Sequence, residues 1–152
     1  MMRAVSILTT VLVGLLWAMG AAQAAVQVSG AWARATMPGQ KVAGVYLQIE
    51  SNVKARLVGV RTSAAKGAEV HEMSHSDGVM RMRKLESLEL PAGRPVVLKP
   101  GGLHIMLLDI RQPLQPGQRV PLTLIVEAGG ERVEVAVDAE VRPLLEEEPT
   151  RH

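Results

Sequence analysis

The chain has 152 residues, a formal charge of +2 and no cysteine. That length suits one domain. The missing cysteine excludes disulfide staples, thiolate metal sites and lipid attachment at a processed N-terminus, and the balanced charge, lacking a basic stripe or an aromatic platform, argues against nucleic acid.

Arg3 is the only charge before an apolar run from Ala4 to about Ala22. Ala22-Gln23-Ala24 then gives the small-x-small pattern of a signal-peptidase site. Residues 1–24 are therefore expected to be a secretory signal cut after Ala24; left uncut, the segment would be a membrane anchor. No later segment approaches the roughly 20 apolar residues that span a bilayer. Loss of Arg3 takes the formal charge from +2 to +1. The sequence has no Phe, and after the cut only Trp32 and Tyr46 are aromatic, so the core must be aliphatic.

Residues 25–142 read as one β domain. Candidate strands are Val26–Ala33, Val42–Glu50, Ala55–Thr62, Ala68–His75, Val79–Leu85, Val96–Leu98, Leu103–Ile110, Val120–Glu127 and Arg132–Val141. Between them fall Gly/Pro turn signals such as Pro38-Gly39, Asp77-Gly78, Pro100-Gly101-Gly102 and Gly129-Gly130. Val133, Val135, Val137 and Val141 alternate with Glu134, Asp138 and Glu140, the period of a strand with one buried face. No segment carries a sustained 3.6-residue stripe. The fold expected is all-β, an antiparallel Greek-key sandwich or barrel. Residues 143–152 read as a flexible acidic tail.

After residue 24 the chain has five Met (37, 73, 80, 82, 106) and four His (71, 75, 104, 152), and seven of these nine lie between residues 71 and 106. Methionine serving as core filler scatters instead. If Asp77-Gly78 is a two-residue hairpin loop, His75 pairs with Met80, Met73 with Met82 and Glu72 with Arg83. One face then carries His71, Met73, His75, Met80 and Met82, and the other carries Glu72 and Arg83 as an ion-paired, solvated face. His71 and Met82 become diagonal neighbours, roughly 7–8 Å apart at the backbone. His104 and Met106 are two apart on another strand and share a face as well.

Two imidazoles and two thioethers, His71, Met82, His104 and Met106, form a ligand set that suits Cu(I) and suits Mg²⁺ or Ca²⁺ poorly. Met73, His75 and Met80 are possible auxiliaries: Met73 opposes Met82, Met80 could cover the site, and His75 is expected in solvent near the turn. Any one of these residues alone would be ordinary core or surface. Four with the right face parity are much harder to explain that way. Without cysteine, blue-copper electron transfer is disfavoured, and without an activated nucleophile so is catalysis; the chain is expected not to be an enzyme. Affinity for Cu(I) should fall as the pH drops through about 6.5, the value of a free imidazole.

The spacing His71, ten residues, Met82, twenty-one residues, His104-x-Met106 resembles the motif of the periplasmic copper chaperone family PCuAC. Ala31-Trp32-Ala33-Arg34, Gly44–Ile49 and Gly78-Val79-Met80-Arg81-Met82 carry the resemblance further, which runs from about Val26 to Val141. It implies a cupredoxin-like β fold and one Cu(I) held by His71, Met82, His104 and Met106. It implies a periplasmic carrier that delivers copper towards the binuclear copper site of cytochrome c oxidase, often alongside a Sco-type thiol protein; the chain is expected to be a monomer. Some members carry a His/Met-rich C-terminal extension for Cu(II); the stretch 142–152 is Glu-rich with a single His, which makes a second site there doubtful. Two other functions remain open on the residues alone: a copper buffer or resistance protein without a dedicated acceptor, and a metal-free exported β-sandwich that binds a partner through its Met-rich face.

Overall fold

A computed structural model describes residues 23–144. The signal segment before Gln23 and the tail after Leu144 lie outside the described residues. Ten strands run in chain order: β1 Val26–Arg34, β2 Val42–Ser51, β3 Ala55–Thr62, β4 Ala65–Ser76, β5 Val79–Leu85, β6 Leu88–Leu90, β7 Val96–Leu98, β8 Leu103–Ile110, β9 Arg119–Ala128 and β10 Glu131–Arg142. There is no helix among the described residues. None of them therefore supplies a helix long and apolar enough to cross a membrane.

The strands hydrogen-bond in the order β5-β4-β8-β2-β1-β10-β9-β3-β6, with β7 pairing β2 beyond the end of β8. The sheet is not closed: β5 and β6 are its edges. Buried side chains of β2, β8 and β9 join one aliphatic core, in a cupredoxin-like sandwich. Alternation builds that core strand by strand. Val45, Leu47 and Ile49 point inward from β2, Ile105 and Leu107 from β8, and Val120, Leu122, Leu124 and Val126 from β9. Each such side chain contributes roughly 1.5–3 kcal/mol by leaving water.

The fold class is the one the sequence led us to expect, with three refinements. One pairing is parallel, β1 against β10, in register Trp32↔Glu140 to Arg34↔Arg142. Strand β4 starts at Ala65, three residues before the expected Ala68, because Ala65 and Gly67 also pair with β8. The short strand Leu88–Leu90 was not anticipated; it pairs with β3 and buries Leu88 and Leu90.

Both hairpins with Gly-containing two-residue loops form as expected. Asp77 and Gly78 have φ of 50° and 74°, and Gly129 and Gly130 have 59° and 79°. Two successive positive φ values define the turn whose twist matches antiparallel strands. The first loop fixes the register Ser76↔Val79, His75↔Met80, Ser74↔Arg81, Met73↔Met82 and Glu72↔Arg83.

Candidate metal centre

Strand β4 lies between β5 and β8, so residues far apart in sequence become neighbours. His71 stands directly opposite His104 on β8, and Met106 opposite Glu69. On the other side His71 faces Lys84 of β5, which puts Met82 on the diagonal and Met73 directly opposite Met82. Since Ile105 and Leu107 point into the core, His104 and Met106 point out of the opposite face of the sheet. The structure therefore gathers all four anticipated ligands on one outer face. Glu72 is on the other face, where it accepts a 2.7 Å hydrogen bond from the Arg83 guanidinium.

Although it lies on an outer face, the centre is not open at its inner end. His104 is only 4% exposed. The Tyr46 ring sits 6.4 Å from it, centroid to centroid, and Trp32 packs on Tyr46 at 4.6 Å. Gly44, opposite Met106 on β2, makes room for this wall: a Cβ there would lie 2.6 Å from the Tyr46 hydroxyl. Exposure then rises along the hairpin, to 48% at Met82 and 57% at Met80.

The two imidazoles are oriented by different partners. His71 Nε2 is 2.8 Å from a carboxylate oxygen of Glu69. His104 Nδ1 is 3.1 Å from the Gly102 carbonyl oxygen. A carboxylate and a carbonyl only accept, so each of these ring nitrogens carries the hydrogen and donates it. In the neutral rings the other nitrogens, His71 Nδ1 and His104 Nε2, then present lone pairs. Both are buried, and neither has a hydrogen-bond partner. Buried nitrogen without a partner is costly unless something else occupies the lone pair. An imidazole that gives its N–H to a carboxylate or carbonyl is the usual arrangement of a metal-binding histidine. The ring centroids are 5.7 Å apart. With metal–nitrogen bonds of about 2 Å, an ion sits about 3 Å from each ring centre, so that spacing fits one ion between the two.

The sequence did not point us to two elements of this arrangement. Glu69 lies two residues before His71 and so on the same face; period-two spacing was the signal that could have found it. Its second carboxylate oxygen is 3.4 Å from Lys84 Nζ. The hydrogen bond from His71, with the nearby Lys84 charge, holds the Glu69 carboxyl below its ordinary value. The Gly102 carbonyl also accepts the Met73 backbone N–H at 3.1 Å, tying the hairpin to the histidine on β8. The auxiliaries separate as well: Met73 is part-buried beside Met82, whereas His75 and Met80 are exposed together near the turn. Met37 and His152 do not enter the centre; Met37 lies in the exposed loop after β1, and His152 is outside the described residues.

Residues 26–139 match the LpqE-like family model. This chain belongs to the LpqE-like, or PCuAC, family. It is 37% identical over 100 residues to "Putative lipoprotein Lxx21020" of Leifsonia xyli subsp. xyli, and 30% identical over 118 residues to "Uncharacterized protein RP573" of Rickettsia prowazekii. Those matches take in 65% and 74% of the chain, which spans 60% and 65% of the length of these relatives. Among solved structures, the copper-bound PCuAC domain from PmoF2 is 26% identical with a TM-score of 0.62, over 78% of this chain and 92% of that domain. The solution structure of CuI-DR1885 from Deinococcus radiodurans is 29% identical with a TM-score of 0.58, over 74% and 75%.

Proposed function

We propose that this protein is an exported, envelope-associated copper carrier that holds one Cu(I) through His71, Met82, His104 and Met106. The observation that carries this reading is the pair of buried, unpartnered ring nitrogens on facing strands, with a thioether beside each histidine on the same face. The copper-bound PmoF2 domain and CuI-DR1885 support it by likeness.

Thioethers are neutral and soft, so the set adds no anionic charge that would favour Cu(II). Neither imidazole nor thioether closes into a disulfide in an oxidising compartment. The Glu69 carboxylate is engaged by His71 and Lys84 and stays out of the ligand set. Such a site binds firmly and still yields its ion to thiolates by ligand exchange. The finer reading is a periplasmic monomer whose acceptor is the copper subunit of cytochrome c oxidase or a Sco-type protein.

Anaerobic Cu(I) titration of the full chain against a chromophoric chelator tests this. Wild type takes up one tight equivalent, and the double variant His104→Ala, Met106→Ala loses it while keeping the β circular-dichroism spectrum. No stoichiometric uptake by wild type, or unchanged uptake by the double variant, sinks the copper reading and leaves a metal-free interaction module. Transfer from the loaded protein to an oxidase copper domain, absent for a buffer protein, separates carrier from store.

A further inference from the structure

The four proposed ligands leave three others of the same chemistry unused, and all three lie on the same face. Read outward along the β4–β5 hairpin, the register forms rungs. The innermost is His71 against His104; the next is Met73 against Met82; the last is His75 against Met80. Same-face residues along a strand are about 7 Å apart, so adjacent rungs are within reach of the long methionine side chains. Exposure climbs in the same order, from 4% at His104 to 48% at Met82 and 57% at Met80. His75 is exposed as well.

Two features of the tip fit a ligand better than they fit simple solvation. Met80 and Met82 are both about half exposed, and apolar side chains in that position gain little from packing. The residues between and beside them, Arg81 and Arg83, point to the other face, and Lys84, which shares the thioether face, lies inward of Met82 and pairs with Glu69. None of the acidic side chains on β4 points to this face beyond His71; Glu69 lies inward of it and Glu72 turns away. The outer rungs therefore offer imidazole and thioether without a carboxylate that would prefer a hard cation.

We propose that His75 and Met80, with Met73 behind them, form a second, weaker station for a soft monovalent metal ion, through which the ion reaches and leaves the buried centre. This rests on the copper reading of the inner site. Met73 is the relay: it opposes Met82 and lies between the tip and His71. Each step exchanges one neutral ligand for another on the same ion, so no electron moves and no proton is released while His75 is neutral. The solvent-facing end can be approached by an incoming ligand; His104, behind Tyr46 and Trp32, cannot.

The test uses the full chain, anaerobic Cu(I), and the double variant His75→Ala, Met80→Leu. Both residues are exposed and outside the core, so the fold should be kept. At equilibrium the first equivalent binds as tightly as in wild type, and a second, weaker equivalent seen with wild type in excess Cu(I) is lost. In stopped flow, removal of the ion by a chelator slows about fivefold or more, because an intramolecular handover has been replaced by direct attack on a buried site. Met73→Leu alone slows removal of the first equivalent and weakens the second. Unchanged rate and stoichiometry in the double variant overturn the proposal and leave the inner site intact. A large loss of first-equivalent affinity also overturns it, by placing His75 or Met80 in the inner site. Failure of wild type to bind any Cu(I) is the different result that removes the copper reading itself.

Discussion

His71 and His104 face each other across the β4–β8 ladder with opposite ring nitrogens committed to the protein: Nε2 of His71 to Glu69, and Nδ1 of His104 to the Gly102 carbonyl. The pair is thus asymmetric before any ion arrives. Nδ1 of His71 and Nε2 of His104 are the atoms left for a metal. Long-range nitrogen-15 spectra of the metal-free protein should show neutral His71 with its hydrogen on Nε2 and neutral His104 with its hydrogen on Nδ1. Addition of Ag(I), a diamagnetic soft ion, should shift the other nitrogen of each ring most. Two identical tautomers would contradict the hydrogen-bond assignment.

Glu69 orients His71 without itself being a proposed ligand. Glu69→Gln keeps a side chain of the same size that can turn its amide oxygen to accept from His71, but it removes the charge opposite Lys84. Outer partners of metal-binding histidines are worth roughly 10–100-fold in affinity when lost. We expect Glu69→Gln near the lower end, about tenfold weaker for Cu(I), and Glu69→Ala weaker still. Chelator competition on both variants checks the order; equal affinities for wild type and Glu69→Ala would remove the role.

The Glu69 carboxyl is held below its ordinary value of 4.5, first by the hydrogen bond from His71. A depressed carboxyl favours the folded state above the unfolded value, and that contribution fades as the pH falls through the folded value. In the metal-free protein, the carboxyl carbon of Glu69 should therefore titrate below 4.5, and in His71→Ala it should move back up towards that value. Lys84→Met should also raise it, since the lysine lowers it as well. A carboxyl that titrates identically in wild type and His71→Ala would mean that the pair does not form in solution.

Gly44→Ala should act on the centre through Tyr46. The new methyl group would stand 2.6 Å from the tyrosine hydroxyl and 3.0 Å from the ring carbon that bears it, so the ring must swing away. Overpacking of this kind costs about 1–3 kcal/mol. The readout is Trp32 fluorescence, since Trp32 stacks on Tyr46 and is the only tryptophan after residue 17. Its emission should shift, and His104 should become accessible to chemical modification. Unaltered emission with unaltered His104 protection would show that the wall does not depend on Gly44.

The hairpin that carries Met82 was legible from one dipeptide. Asp77-Gly78 favours a two-residue loop, and the loop length sets the pairing of every residue behind it. Local chemistry determined that part. The adjacency of β4 and β8 was not legible, because it joins segments separated by the β5–β7 stretch and depends on how the whole sheet orders its strands. Face parity placed His104 and Met106 together, yet only the fold put His104 opposite His71 rather than a rung away. Leu88-Glu89-Leu90 escaped notice because, unlike the equally short Val96–Leu98, which Pro95 and Pro100 bracket, it has no Gly or Pro between it and the end of β5. Glu69 escaped because a carboxylate next to a strand histidine is ordinary until the ring nitrogens are assigned.

Along β8, His104 and Met106 interleave with Ile105 and Leu107, so one eight-residue strand serves the proposed metal face and the core at alternate positions. Two selective demands are therefore written in the same segment without competing for a residue. Leu107→Ala should cost about 2–5 kcal/mol in stability and leave the ligands in place, whereas Met106→Leu should preserve volume, keep stability within about 1.5 kcal/mol and weaken soft-metal binding. The same independence makes the centre evolvable. A descendant of this chain could change its metal preference, or lose it, through outward positions alone, and the barrier to such drift is functional rather than architectural.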